Sequence, residues 1–197
     1  DGLTDALGQS QILPYIIGLT KRGYSFTIIS CEKPEKLDLG KLDIEIICRE
    51  NNIEWHPLIY HKKPPIISTI KDVIQIRRKA FQLHKLKKFS IVHCRSHISS
   101  LIGLEMKRNK DIPFIFDMRG FYADERVDGK IWDLSNPIYK LVYKFFKSKE
   151  AAFVQYSDAI ISLTEAGKKI MQNWPTMRYS NKITVIPCSV DMDLFNR

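Results

Sequence analysis

The chain has 197 residues, 44% of them apolar and 27% charged, with a formal net charge of +9. That is room for one α/β-sized core and short for two full domains, so one compact domain is expected. No window approaches the ~18 uncharged apolar residues of a membrane span, so no crossing of a membrane is expected, and no signal peptide is read at Asp1.

In chain order, DGLTDALGQS opens as a small-residue loop with no strand before it, although a helix-feeding glycine loop normally follows one. The first strand of the unit is therefore expected to be missing. QILPYIIGLTKR reads as a helix with Ile12, Ile16 and Leu19 on one face and Pro14 in its first turn, ending at Gly23. YSFTIIS (24–30) follows as a β-branched and aromatic strand. KPEKLDLGK reads as a loop, LDIEIICRENN as a helix, and IEWHPLI (53–59) as the next strand.

Residues 67–89 form a long helical candidate with apolar anchors at Ile70, Val73, Ile74, Phe81 and Leu86, capped by Ser68 or Thr69. SIVHCRSH (90–97) is strand into loop, ISSLIGLEMKRNK (98–110) a helix, and PFIFDMRG (113–120) a strand with a polar end. Residues 121–137 show no clear period and read as a long charged and aromatic loop or a loop with a helical turn, a class disproportionately functional. A helix over 138–157, a strand over 157–164, a helix over 165–174 and a last strand over 182–191 complete the pattern. Short apolar strands alternating with helices predict an α/β fold: a doubly wound, Rossmann-like parallel sheet with helices on both faces.

Cys31, Cys48, Cys94 and Cys188 lack both C-x-x-C pairing and the density of a disulfide-stapled domain, which predicts reduced, mostly buried thiols in a cytosolic protein. His56, His61 and His84 have no metal-ligand spacing, so no metal is expected, and no G-x-S-x-G elbow is present. The charge is concentrated: Lys62 to Lys88 holds nine Lys/Arg against the single acid Asp72, or +8 of the +9. Three readings stand for that segment: a solvated face, contact with anionic membrane, and nucleic-acid binding. The last is disfavoured because only Phe81 and Phe89 interleave the charge, where single-strand binders use stacking aromatics.

In an open parallel sheet, ligands bind beyond the carboxyl ends of the strands. The candidates there are Gly8, Gln9 and Ser10 in the opening loop, Ser30 and Glu32 after the first visible strand, and Arg95 with His97 after the third. Asp117 and Arg119 end the fourth strand. Gly8 before a helix allows close backbone approach to a phosphate, and a plain tight turn is the competing reading. Arg95 could neutralise phosphate and His97 donate to a sugar hydroxyl or move a proton, against a structural ion pair and a surface histidine. Asp117 and Arg119, two apart, form a salt bridge or, with Asp124, Glu125 and Arg126, a polyol-binding surface.

Five stretches in order, LGQSQILPYIIGLTKRGYSFTIIS, IVHCRSHISSLIG, PFIFDMRGFYADERVDGKIW, SDAIISLTEAGKKIM and ITVIPCSVDMDLF, resemble the N-terminal half of the family 4 glycosyltransferases. The resemblance covers essentially the whole chain and implies a GT-B architecture of two Rossmann-like domains facing a cleft, with the C-terminal donor-binding domain absent here. It implies retaining transfer from a nucleotide sugar to a saccharide or lipid-linked acceptor, in which the nucleotide sugar is substrate and no cofactor is needed. By position, Gly8 resembles the glycine that approaches the donor phosphates, with Gln9, Ser10 and Arg95 beside it. Arg119 falls where many members carry a histidine; an arginine stabilises negative charge but does not serve as a neutral base. Cys188 and Ser189 replace the common Asn-Gly before Val190. Lipid-linked acceptors of polysaccharide biosynthesis would place the chain at the cytoplasmic membrane face, held peripherally by segment 62–88. A non-catalytic Rossmann-type nucleotide or sugar-binding module remains the alternative.

Overall fold

The computed structural model describes residues 2–177 and 182–189. They fall into two compact units, residues 1–82 with 188–197, and Leu83–Pro187. The expected loop and strand end over 190–191 lie outside the described residues.

In the first unit, α2 (Leu13–Thr20) lies within the helix expected over 11–22, and α1 (Ala6–Gln11) forms in the stretch expected as a loop. Pro14 separates the two: it has no N–H, and its ring clashes with the carbonyl four residues back, so it is accommodated only in the first turn of a new helix. Strand β1 (Phe26–Glu32) pairs in parallel with β2 (Ile53–Ile59), from Phe26 opposite Ile53 to Glu32 opposite Ile59. The crossover is α3 (Pro34–Glu50), whose first half was expected as a loop. Pro34 suits a helix start, and the buried pair Ile44 and Cys48 one turn apart ties the helix to Leu3, Leu13 and Ile53. Gly40 mid-helix costs about 1 kcal/mol in propensity, which this packing overrides.

Helix α4 (Ile67–Lys87) turns a different face inward from the one its apolar spacing predicts. Ile70, Ile74 and Leu86 are exposed by 54%, 42% and 72%, while Ser68, Asp72, Ala80 and Leu83 are buried. Asp72 explains the rotation. Its carboxylate accepts the His61 backbone N–H at 3.0 Å and the Gln75 amide at 2.9 Å, and pairs with His61 Nδ1 at 2.6 Å. A buried charge needs such partners, and satisfying it sets the helix azimuth.

The second unit carries a four-stranded, all-parallel sheet in the order β3 (Val92–Arg95), β4 (Phe114–Met118), β5 (Ala159–Ser162), β6 (Ile183–Val185). Its crossovers are α5 (Ser96–Lys110), α6 (Tyr122–Asp128) with α7 (Pro137–Tyr156), and α8 (Glu165–Gln172). Phe114, Phe116, Phe153 and Ile160 are fully buried at its centre, with Val154 and Met171. A Cβ on Gly103 would lie 2.5 Å from the Phe114 ring and 2.6 Å from Cys94 Sγ, so glycine there permits α5 to lie directly on β3 and β4. Asn136 caps α7 by accepting the Ile138 N–H, and Thr164 caps α8 by accepting the Gly167 N–H. Parallel strands alternating with flanking helices make this a Rossmann-like half of a GT-B fold.

All four cysteines are free thiols. Burial pushes the Cys94 thiol up to about 12; burial, with the charges of Asp72 and Glu32, does the same to Cys31. Cys188 is exposed.

Candidate functional site

Residues 2–10 are organised by a carboxylate at the end of β1. Glu32 is 0% exposed. Its Oε1 accepts the Leu3 N–H at 2.7 Å and its Oε2 the Thr4 N–H at 3.0 Å, with the hydroxyls of Ser30 and Thr4 donating as well. Four donors satisfy a fully buried charge, and the loop is thereby fastened to the strand. Gly8 is buried inside α1, and a Cβ there would sit 2.1 Å from the Gly2 carbonyl oxygen and 2.6 Å from Leu3 Cα. The close approach it permits is to that loop. Gln9 Nε2 donates to the Thr4 carbonyl at 3.2 Å and Ser10 Oγ to the Ala6 carbonyl at 2.8 Å, so both side chains engage neighbouring backbone.

Glu32→Ala removes the acceptor of two buried amides and is expected to cost about 3 kcal/mol, at about 1–3 kcal/mol per orphaned donor. Urea unfolding of the 197-residue chain reads this as a lowered midpoint at unchanged slope. A loss under about 1 kcal/mol would mean the loop re-forms its bonds elsewhere.

In the second unit the carboxyl ends of β3 and β4 bring four charged side chains together. The parallel register sets Arg95 opposite Asp117. Asp117 is 4% exposed, and three cationic or protonatable groups converge on it. His93 Nε2 lies 3.2 Å from Oδ2, Arg95 Nη1 3.7 Å from Oδ2, and Arg119 Nη1 3.5 Å from Oδ1. Arg95 and His93, two apart on β3, share a strand face. Two guanidiniums thus face one carboxylate.

Beside it, Arg119 lines a pocket of about 150 Å³ at the ends of β4 and β5, with Gly120, Phe121, Thr164, Gly167 and Met171 among its walls; no carboxylate is among the described lining residues, and Glu125 Oε1 accepts the Phe121 N–H at 3.0 Å. The pocket can accept a small group, and its one charged wall favours an anion or an electron-rich oxygen.

His97 is placed otherwise than expected. It lies in the first turn of α5, not in a loop, and is 1% exposed. Its Nε2 pairs with Glu150 Oε2 at 2.9 Å, and its ring stacks on Tyr122 at 5.3 Å with Phe116 and Phe153 edge-on. A sugar hydroxyl has no route to that nitrogen as it is packed. Ser96, between Arg95 and His97, holds φ at +73°, a left-handed conformation uncommon for serine, and this sharp junction sends Arg95 and His97 to different surroundings.

The charged segment after β4 is likewise committed to packing. Asp124 accepts from Tyr143 Oη at 2.8 Å and Lys147 Nζ at 2.9 Å, Glu125 accepts the Phe121 N–H at 3.0 Å, and the Arg126 guanidinium lies over the Tyr122 ring. Lys147 also donates to Glu150 Oε1 at 2.7 Å. Burial lowers the Lys147 ammonium, but its bonds to Glu150 and Asp124 outweigh this and raise it above the ordinary lysine value. Among the described residues no cluster of His, Cys, Asp and Glu could hold a metal ion.

Gly8, Gln9 and Ser10 thus belong to the first unit, and Arg95, His97, Asp117 and Arg119 to the second. Of the latter, Arg95, Asp117 and Arg119 form one cluster. His93 was missed although its i, i+2 relation to Arg95 on a strand was legible. Glu150 and Lys147 were missed because nothing in a lysine-rich helix distinguishes the one buried acid.

Residues 15–194 match the family model described as Glycosyltransferase Family 4. Sucrose-phosphate synthase from Thermosynechococcus elongatus is similar in structure, with a TM-score of 0.53 at 10% identity over 86% of this chain and 49% of that one. The Anabaena HepE protein, solved in complex with UDP and glucose, gives 0.45 at 10% identity over 87% and 46%. Acinetobacter baumannii MurG gives 0.45 at 12% identity over 95% and 46%. The chain spans about half the length of these structures, and at such identity the synthase likeness shows a shared fold. No curated protein matches the chain significantly.

Proposed function

The chain belongs to Glycosyltransferase Family 4, and on that premise we propose that it is the N-terminal, acceptor-side half of an enzyme that moves a sugar, with retention, from a nucleotide sugar to a saccharide or lipid-linked acceptor. The observation that carries this reading is the Arg95–Asp117–Arg119 cluster at the carboxyl ends of β3 and β4, beside a pocket that Arg119 lines.

In the transfer, the bond between the sugar and the phosphate oxygen breaks and the nucleoside diphosphate departs with the electron pair. The acceptor oxygen takes the sugar on the same face and releases its proton to the departing phosphate. Negative charge therefore grows on the leaving group. A guanidinium already oriented by Asp117 meets that charge without reorganisation, which is where preorganised electrostatics lower a barrier. Arg119 takes this part and Arg95 adds the second guanidinium. Asp117 holds both. His97 acts at one remove, supporting Tyr122 and hence the 119–122 segment. Gly8, Gln9 and Ser10 on α1 approach the donor phosphates, and Glu32 fixes the path of the loop that leads into that helix.

The exposed stripe Ile67, Ile70 and Ile74 on α4, set among Lys71, Arg77 and Arg78, supports peripheral contact of segment 62–88 with anionic lipid at the cytoplasmic membrane face. No helix among the described residues is long and apolar enough to cross a membrane.

The test is a screen of nucleotide sugars against saccharide and lipid-linked acceptors using the complete protein, with product configuration read by NMR. Transfer with the donor's anomeric configuration kept is expected. Inversion would overturn the retaining mechanism, and stoichiometric binding without turnover would favour a non-catalytic sugar- or nucleotide-binding module.

A further inference from the structure

Helix α7 presents a second apolar stripe, on the other unit. Ile138, Leu141 and Phe145, spaced i, i+3, i+7, fall within about 60° of one another at 100° per residue and so share one face. They are exposed by 59%, 69% and 44%, and Ile131 just before the helix by 54%. The opposite face buries Phe146, Phe153 and Val154, so α7 already has its core contact and this stripe is additional to it.

Along α7 the exposed charge is of one sign, while Asp128 and Asp133 are exposed in the segment before it. Lys140 and Lys144 are exposed, Lys144 beside Leu141 and Lys140 further round the helix, and the Lys149 ammonium lies 5.5 Å from the Phe145 ring centroid. The single acid of α7, Glu150, is 1% exposed and faces His97 and Lys147. The outward face thus pairs three large apolar side chains with lysines and shows no carboxylate. A protein partner for such a face would need an acidic rim around an apolar groove. An anionic bilayer supplies both in one surface, with headgroup phosphates for the lysines and the acyl boundary for the apolar side chains.

We propose that the α7 face is a lipid-docking surface, seating Ile138, Leu141 and Phe145 at the acyl boundary of an anionic membrane with Lys140, Lys144 and Lys149 at headgroup level. The site stands on side chains of the second unit alone and is independent of the glycosyl-transfer reading and of segment 62–88.

The experiment is co-sedimentation of the 197-residue chain with vesicles of phosphatidylglycerol mixed into phosphatidylcholine, compared with pure phosphatidylcholine. Leu141→Ser with Phe145→Ser is expected to lower the partition coefficient about tenfold on the anionic vesicles, and Lys140→Gln with Lys144→Gln to weaken its salt dependence. Leu141→Met with Phe145→Leu keeps apolar bulk and is expected to retain binding. All these positions but Lys149 are exposed, so melting temperatures should stay unchanged, and a matched loss of folding is checked there. Ile70→Ser with Ile74→Ser on α4 serves as the separating control. Undiminished binding by the α7 serine pair, with loss only in the α4 pair, overturns the proposal and leaves the α4 contact standing. A concentration-dependent dimer in light scattering that the α7 serine pair dissolves also overturns it, assigning the face to a second copy of the chain.

Discussion

Glu150→Ala is expected to destabilise the chain by about 3–5 kcal/mol, the range for breaking a buried charge pair, here the one with Lys147. The loss is large because Glu150 Oε2 also holds a buried imidazole: His97 is 1% exposed and packs against Phe116, Tyr122 and Phe153. Lys147 would keep Asp124 and has partial access to solvent, which limits its share of the loss. Because the ammonium of Lys147 is raised in the folded chain, its contribution is fully present below the unfolded lysine value and disappears only as alkaline pH passes the raised one. The same pocket predicts a rescue. His97→Phe with Glu150→Leu exchanges the pair for apolar volume among aromatic rings, and most of the stability should return, since such replacements are often neutral. Denaturant midpoints of the wild type, both single variants and the double variant decide it. A Glu150→Ala loss under about 1 kcal/mol would show that His97 finds another partner, and a double variant no better than its parents would show that the pair also specifies the packing.

Much of the second unit was legible because its strands are dense apolar runs. Phe114, Phe116 and Ile160 could only be interior, and a parallel sheet with strand ends at Arg95, Asp117 and Ser162 follows from their spacing with the intervening helices. The cluster of Arg95, Asp117 and Arg119 was legible for the same reason: polar residues at the ends of buried strands are conspicuous. In the first unit both strands were legible, the second to the residue, but the helices were less so. Helix α3 buries just a thin line through Ile44 and Cys48, so Leu39 and Leu42 on its outside weaken the apolar period. Helix α4 misled for a related reason. Asp72 and Ser68 take the inward positions, and periodicity assigns inward positions to isoleucine. His97 was misplaced by one structural detail, the left-handed Ser96, which starts α5 two residues early and turns the ring into the core.

The second large effect belongs to Arg119, and it is one of activity. Arg119 Nη1 lies 3.5 Å from Asp117 Oδ1, and the residue lines the pocket. In the proposed transfer it stabilises charge that exists fully only as the phosphate departs, so its removal should act on turnover more than on ground-state binding. Loss of one preorganised donor of this kind lowers kcat by about 10²–10³. Arg119→Lys should recover little, because an ammonium lacks the planar fork of donors that a guanidinium presents to a phosphate. Arg119→Ala leaves Asp117 in contact with His93 and Arg95, so the variant is expected to fold, and its melting temperature is measured beside its kinetics.

The decisive measurement is therefore steady-state sugar transfer by the complete enzyme carrying Arg119→Ala, with kcat and KM determined separately for the donor and the acceptor. A kcat lower by about 10²–10³ with both KM values within a few fold of wild type is the outcome the account predicts. A kcat unchanged within about threefold, in a variant that melts like the wild type, would contradict the claim that the β3–β4 rim carries the transfer chemistry.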